Sequence, residues 1–215
     1  MTTIGLIGAG HIGGQLARAA VAHGYDVVVS NSRGPETLTE LVDELGPQAR
    51  APPPSRPPRQ PTSRSSPSPC TPWARCLSPP LAGKVVIDTN NYYPQRDGEI
   101  AELEDESTTT AELLQAHLPT SKVVKAFNHI ASAHILEHAA PPGSDGRRAL
   151  AIAGDDPDAK AQVVSFIDQI GFDSVDLGPL AEGWRVQRDT PAYVSVLTAD
   201  ELRAKAAEAR RYRDM

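Results

Sequence analysis

The chain has 215 residues, a formal net charge of −6 at pH 7 and 22% charged residues, enough for one domain with a real core. The acidic balance argues against a general nucleic-acid binder or a binder of anionic membranes. No apolar run approaches the roughly 20 residues that span a bilayer, and the chain start lacks the basic region and cleavage site of a signal peptide. We therefore expect a cytoplasmic protein.

The first fifty residues predict two parallel strands joined by a helix. Residues 4–8 (IGLIG) are an apolar run that ends in glycine, which is typical of a buried strand. Apolar residues then recur at helical spacing over residues 12–22, and Gly24 is placed to end that helix. A strand over 25–29 follows, and then a helix over 35–45. This is a βαβ unit, whose crossover is right-handed.

The same alternation resumes after residue 80. We predict strands over 85–88, 123–127, 149–153 and 174–177, and helices over 109–117 and 159–170. This pattern favours an α/β fold with a doubly wound, mostly parallel Rossmann sheet. Residues 1–198 would form this domain. The charges in residues 199–215 alternate at helical period, so we expect these residues to form a solvated surface helix at the C-terminus.

Gly8, Gly10 and Gly13 form a GxGxxG loop in the context that a dinucleotide site requires, with a strand before it and a helix after it. The first glycine permits the tight turn, the second lets a pyrophosphate approach the backbone, and the third lets helix and strand pack closely. The free N–H groups and the positive dipole end of the helix favour the phosphates.

The residues after the second strand favour NADP over NAD. An NAD site places a carboxylate there for the ribose 2′-hydroxyl, whereas this chain reads Asn31, Ser32 and Arg33. A guanidinium beside a hydroxyl suits a 2′-phosphate. The alternative is a polar loop without a ligand.

The stretches IGLIGAGHIG, VVVSNSRGPE, KVVIDTNNYYPQRDG, VVKAFNHI, LAIAGDD and DLGPLAEG together resemble the NADP-binding oxidoreductases related to F-420-dependent NADP reductase. The resemblance covers about residues 1–50 and 81–190. It implies a Rossmann fold and direct hydride transfer between nicotinamide and the deazaflavin F-420, with no side chain acting as acid or base. It places Gly8, Gly10, His11, Ile12 and Gly13 at the pyrophosphate, Asn31, Ser32 and Arg33 at the 2′-phosphate, and Ala126 to Asn128 at the nicotinamide.

Three other groups have a competing interpretation. His134, Glu137 and His138 match HxxEH, a zinc pattern, but no third ligand is evident and we expect no metal. Residues 88–93 (DTNNYY) fit substrate contacts or a turn equally well. Trp184 with Arg185 would either border a second coenzyme or pack the C-terminal arm, and we favour packing.

Residues 51–80 hold eleven prolines and six serines, where the alternation predicts a strand. The resemblance implies an alanine-rich helix, a central strand and a loop near the cofactor at this place. Proline is excluded from central strands, so this Pro/Ser/Arg-rich segment replaces the strand region with irregular chain. A pair of compensating frameshifts is one account, because a shifted frame can turn residues 62–69 into DVAVVTVP. A true insertion, including a PxxP partner tract around Pro54 to Pro61, is another. The coding DNA decides between them.

Two functions are therefore carried forward. The first is an oxidoreductase that moves hydride between NADPH and a small-molecule acceptor or donor, F-420 being the carrier that the resemblance implies. The second is a non-catalytic NADP-binding module or degenerate paralogue. We expect neither nucleic acid nor membrane as a partner, and a homodimer remains open.

Overall fold

The computed structural model describes residues 3–7, 10–30, 35–51 and 81–212. Its strands form one seven-stranded sheet in the order β3-β2-β1-β4-β5-β6-β7. The strands are β1 (Thr3–Ile7), β2 (Asp26–Ser30), β3 (Ala49–Arg50), β4 (Val85–Asp88), β5 (Lys122–Ala126), β6 (Ala149–Gly154) and β7 (Asp173–Asp176).

The helices occupy the connections between the strands. The α-helices are α1 (His11–Ala22), α2 (Thr39–Leu45), α3 (Pro94–Asp97), α4 (Ala101–Glu104), α5 (Thr110–His117), α6 (His134–Glu137), α7 (Pro157–Gln169) and α8 (Ala199–Glu208). Short 3₁₀ turns span Pro35–Leu38, Gly46–Gln48 and Leu180–Val186. No helix among the described residues is long and apolar enough to cross a membrane.

The mostly parallel α/β sheet of the prediction is confirmed. Strands β1 to β5 pair in parallel, as do β6 and β7, and only β6 runs antiparallel to its neighbour β5. Within β1 to β5, strand order reverses direction at β1, which has β2 on one side and β4 on the other. Such a switch point is where α/β sheets bind ligands, beyond the carboxyl ends of the strands.

At the centre of the described sheet no strand lies between β1 and β4, where the α/β alternation predicts one and where we expected residues 51–80 to replace it. β1 pairs directly with β4, with Gly5 opposite Val86 and Leu6 opposite Ile87. The two-residue strand β3 follows α2 but lies at the edge of the sheet, beside β2. Residues 52–80, to which we assigned the frameshift and the partner tract, lie outside the described residues.

The sheet is covered on both faces. Helices α1 and α7 pack against one face, where Leu16 of α1 and Phe166 of α7 belong to the same core cluster as Phe127, which follows β5. The other carries α5 and the turn at Leu180–Val186, with Leu114 and Leu180 in contact with Val86 and Val123 on the strands. Burial on both faces is the reason why the central strands are mostly apolar, with Asp88 of β4 and Lys125 of β5 as buried exceptions.

The end of α1 confirms the prediction for Gly24, which follows the helix with φ 80°. Asp156 caps α7 by accepting a hydrogen bond from the Ala159 N–H at 2.8 Å. The C-terminal helix is shorter than predicted and is not solvated all round. Leu202 and Ala206 of α8 are buried, and Leu202 packs with the β6 and β7 core.

Candidate functional site at the carboxyl edge of the sheet

The N-terminus of α1 is open. Its N-cap residue Gly10 has extended backbone (φ −80°, ψ −158°), and no side-chain hydrogen bond caps the helix. A Cβ built on Gly10 would meet no atom of the described chain within 4 Å, so the backbone faces open space. Gly13 is buried within α1, as expected for the glycine that lets the helix approach the strand. This arrangement suits a pyrophosphate.

The predicted pyrophosphate and nicotinamide residues lie at one edge. Gly10, His11 and Ile12 follow β1, and residues 126–128 end β5, two strands away across β4. Two strand spacings are roughly 10 Å, a span that a dinucleotide can bridge. Gly8, Asn31, Ser32 and Arg33 lie outside the described residues, so their predicted roles stay predictions.

The chain turns sharply where β5 ends. Phe127 adopts the left-handed conformation (φ 61°), although its ring is fully buried against Phe166 with centroids 6.1 Å apart. Non-glycine residues reach this conformation only when their surroundings enforce it, and such positions cluster at functional sites. No sequence pattern predicts the left-handed backbone conformation of Phe127.

Asn128 is held by a pair of amides. Its Nδ2 donates to Asn91 Oδ1 at 3.1 Å and to the Val186 carbonyl at 2.9 Å, while Asn91 Nδ2 donates to the Asn128 carbonyl at 2.6 Å. Asn128 is 2% exposed. The Asn128 side chain therefore holds together the loops after β4 and β5. A ligand bound here would contact the backbone of the turn.

A buried ion pair supports the same loops. Lys125 Nζ donates to Asp88 Oδ2 and to Thr110 Oγ1, both at 2.9 Å, and to the Asn90 carbonyl. The second oxygen of Asp88 accepts from the N–H and side-chain amide of Asn90. Because three acceptors satisfy the ammonium and three donors serve the carboxylate, burial of both charges is compensated. The bond from the Asn90 N–H to Asp88 shows the turn that we considered for residues 88–93, and substrate contacts by these residues stay a prediction.

His129 is a neutral buried acceptor. Its Nε2 accepts from the Ala151 N–H at 3.1 Å, and burial, helped by the charges of Arg148 and Lys125, lowers its pKa to about 3. The imidazole therefore joins β6 to the turn after β5 rather than serving as an acid at neutral pH. The sequence alone did not single it out.

The two histidines of the HxxEH motif contact a guanidinium. The rings of His134 and His138 stack with centroids 4.0 Å apart, and Arg148 donates to both Nδ1 atoms, at 3.1 and 3.0 Å. Although the ligand atoms of these histidines and Glu137 lie within 4.8 Å of one another, a metal ion would bring a second cation beside buried Arg148. This geometry disfavours a zinc site.

Comparison with known proteins agrees with this arrangement. Residues 3–55 match the family model described as NADP oxidoreductase, coenzyme F420-dependent. The metalloreductase STEAP3 of Rattus norvegicus is 31% identical over 197 residues, which are 86% of this chain and 35% of STEAP3. The chain thus spans about a third of that curated relative.

Two solved structures share the fold. A hypothetical protein, SMa0349, from Sinorhizobium meliloti is 28% identical with a TM-score of 0.65, over 92% of this chain and 96% of that one. A candidate F420-dependent NADP reductase from Arthrobacter sp. FB24 is 20% identical with a TM-score of 0.60, over 84% and 86% of the two chains. Residues 3–55 of this chain are thus similar in sequence to NADP-dependent oxidoreductases, and most of the chain shares the Rossmann-like fold of these solved structures.

Proposed function

We propose that this protein is an oxidoreductase that binds NADP(H) and transfers hydride between NADPH and a second carrier, with the deazaflavin F-420 as the first candidate. The observation that carries the proposal is the uncapped N-terminus of α1 with its open Gly10, on the same sheet edge as the strained turn at Phe127. The first offers N–H donors to a pyrophosphate, and the second a shaped backbone to a flat ring.

The residue roles follow from that placement. Gly8, Gly10, His11, Ile12 and Gly13 would hold the pyrophosphate. Asn31, Ser32 and Arg33 would hold the 2′-phosphate and so select NADP over NAD. Ala126 to Asn128 would border the nicotinamide.

The reaction requires little from the protein beyond binding and alignment. When bound, NADPH would supply the hydride and become NADP⁺, and the oxidised carrier would gain that hydride and one proton. The protein's own part is to fix the two rings in contact and exclude water, which is the rate advantage of orientation.

Absorbance spectroscopy tests this proposal. Purified protein is mixed with NADPH and oxidised F-420, and bleaching of the deazaflavin band is expected together with loss of NADPH absorbance, in a one-to-one ratio. Equal bleaching with NADH and NADPH would contradict the role given to Arg33. Absence of any bleaching, with NADPH bound tightly, would contradict turnover with F-420.

A non-catalytic NADP-binding protein is the second candidate. The direct pairing of β1 with β4 favours it. The described sheet lacks the central strand that the α/β alternation predicts before residues 85–88. NADPH binding without turnover for F-420, flavins or small imines and ketones would support it.

The remaining expectations are proposals of the same kind. Residues 1–198 would be the NADP-binding domain, the protein would act in the cytoplasm on a small-molecule acceptor or donor without nucleic-acid partners, and a homodimer is its candidate assembly. Light scattering of the purified chain distinguishes a dimer from a monomer.

A further inference from the structure

Arg148 is a buried cation whose partners are all uncharged. The residue is 3% exposed and lies directly before β6. Its Nη1 donates to the Nδ1 atoms of His134 and His138, and its Nη2 donates to the Ser195 carbonyl at 2.9 Å. Its Nε has no hydrogen-bond partner, and no carboxylate of the described part of the chain forms an ion pair with it. The guanidinium therefore depends on two imidazoles and one carbonyl.

Both imidazoles must be neutral to serve Arg148. A guanidinium only donates hydrogen bonds, so each Nδ1 accepts, and the proton of each neutral ring is on Nε2. The rings of His134 and His138 also stack, with an angle of 14° between their planes. A proton added to either Nδ1 would remove an acceptor and place a second cation next to the buried guanidinium. This is the same conflict that disfavours a metal ion at these residues.

The charges around the histidine pair favour the neutral form. Burial lowers the pKa of His138 below its usual value of 6.5, the charges of His134 and Arg148 lower it further, and Glu137 raises it. Helix α1 packs against α6, and its first residue, His11, is exposed. The other titratable groups of the surrounding elements are bonded elsewhere: Arg18 to Glu44, His23 to the Ala19 carbonyl, Arg147 to Asp168 and Asp173, and His129 to the Ala151 N–H.

The carbonyl that Arg148 holds belongs to a strained segment, residues 193–197. The Val194 N–H donates to the His129 carbonyl at 3.0 Å, in the turn after β5. Val194 has the left-handed backbone conformation (φ 59°) and is 41% exposed. A β-branched residue keeps this conformation only while its surroundings enforce it. The bond from Arg148 to Ser195 is one of these restraints, so its loss should free the segment from the turn.

We propose that Arg148, His134 and His138 form a proton-sensitive clamp on residues 193–197. While both imidazoles are neutral, they hold the guanidinium at Ser195, and the segment stays against the turn after β5. A proton taken up by either imidazole breaks the bond of that imidazole to Arg148 and repels the guanidinium, so the segment is released. The clamp does not depend on the proposed function, because none of its residues is assigned to bind NADP(H).

Acid favours the released state of this clamp. A solvated imidazole has a pKa of about 6.5, and the closed clamp excludes the proton that a released imidazole binds. Closure is therefore fully favoured above about pH 6.5 and weakens as the pH falls below that value. For one proton taken up on release, the ratio of released to closed molecules rises about tenfold between pH 7.5 and pH 5.5.

Amide hydrogen exchange, followed by NMR on the full ¹⁵N-labelled chain, measures the release. Exchange rates are recorded at pH 7.5 and pH 5.5 and corrected for their intrinsic pH dependence. The protection of the Val194 N–H should fall about tenfold at the lower pH. Two-bond ¹H–¹⁵N spectra of the imidazoles read the tautomers directly, and a proton on Nε2 of both His134 and His138 is expected at pH 7.5.

The double variant His134→Asn with His138→Asn separates the clamp from other effects of acid. It places an amide oxygen near each Nδ1 position without a group that titrates, so the protection of Val194 should stay the same at both pH values. His23→Gln, an exposed change on α1, is the control and should behave like the wild type. A double variant that loses as much protection as the wild type, or a wild type that loses none, overturns the clamp. A proton on Nδ1 of either imidazole at pH 7.5 overturns it without any variant.

Discussion

At the scale of single residues, the candidate site combines an open glycine with a strained aromatic residue. Gly10 faces space that a Cβ could occupy without touching the described chain, so its glycine identity is not required by packing. Phe127, in contrast, has a backbone conformation that costs on the order of 1–3 kcal/mol and a ring that is fully buried. Both features are expected if the proposed dinucleotide lies against the backbone at this edge.

Gly10→Ala should leave the free energy of unfolding nearly unchanged and weaken NADPH binding, because the new methyl group would occupy the space of the pyrophosphate. Gly14→Ala is the matched control. The new Cβ at position 14 would meet only the flexible end of Arg18 at 3.4 Å. Alanine in place of glycine within a helix raises the free energy of unfolding by up to about 1 kcal/mol. NADPH fluorescence titration and urea unfolding measure the two effects. Equal NADPH affinity in both variants would contradict the assignment of Gly10.

Lys125→Met should destabilise the protein by about 3–5 kcal/mol, because it leaves the Asp88 carboxylate buried without its counter-ion. The double variant Lys125→Met with Asp88→Asn should lose less than the single variant, since a neutral amide can still bond Asn90. Urea unfolding of the three proteins measures this. A double variant less stable than Lys125→Met would show that the ion pair is not the source of the loss.

At the scale of elements, the pairing of β1 with β4 determines the shape of the site. It brings Asp88 and the loop of residues 89–93 next to the end of β1, and β5 one strand further. The N-cap of α5 belongs to the same assembly, because Thr109 and Glu112 form a capping box while Thr110 accepts from Lys125. A helix start, two strand ends and a buried ion pair thus form one connected unit.

Replacement of residues 52–80 by a 15-residue Gly/Ser linker should preserve cooperative unfolding and NADPH binding. β3 and β4 are three strand spacings apart, about 14 Å, and such a linker has a root-mean-square span of about 20 Å. Circular dichroism and NADPH titration check the outcome. Loss of folding would show that the replaced segment contributes to the core. A second variant, with DVAVVTVP at 62–69, tests whether the shifted frame supplies the expected strand.

At the scale of the whole molecule, stability should depend on pH through His129. Its pKa falls from 6.5 to about 3 on folding, first because it is buried and then because Arg148 and Lys125 are near. The native imidazole stays neutral while the unfolded one binds a proton, so this stability is complete above pH 6.5 and is lost as the pH falls toward 3. The slope is about 1.4 kcal/mol per pH unit.

His129→Gln should remove that part of the pH dependence, since an amide oxygen can still accept from the Ala151 N–H but does not titrate. Urea unfolding of both proteins from pH 7 to pH 4 gives the difference, and His11→Gln, at an exposed position, serves as the control. Parallel curves for wild type and His129→Gln would contradict a neutral buried histidine.

The sequence by itself determined the fold class and the local elements. Apolar runs predicted six of the seven strands of the described sheet to within one or two residues, and Gly24 marked a helix end, because these signals depend on neighbours along the chain. The two-residue edge strand β3 was not predicted. It also placed the glycine loop before a helix and so indicated a dinucleotide site.

Only the tertiary structure decided how distant segments meet. Pairing of β1 with β4, the reversal of β6, the Asn91–Asn128 amide pair and the burial of His129 each depend on residues far apart in the chain, whose contacts no local periodicity encodes. The clearest case is a cleft lined by residues 108–110, by Trp184 and Arg188, and by Arg211. These three segments are far apart in the sequence and line the same cleft only because the C-terminal residues pack across the edge of the sheet.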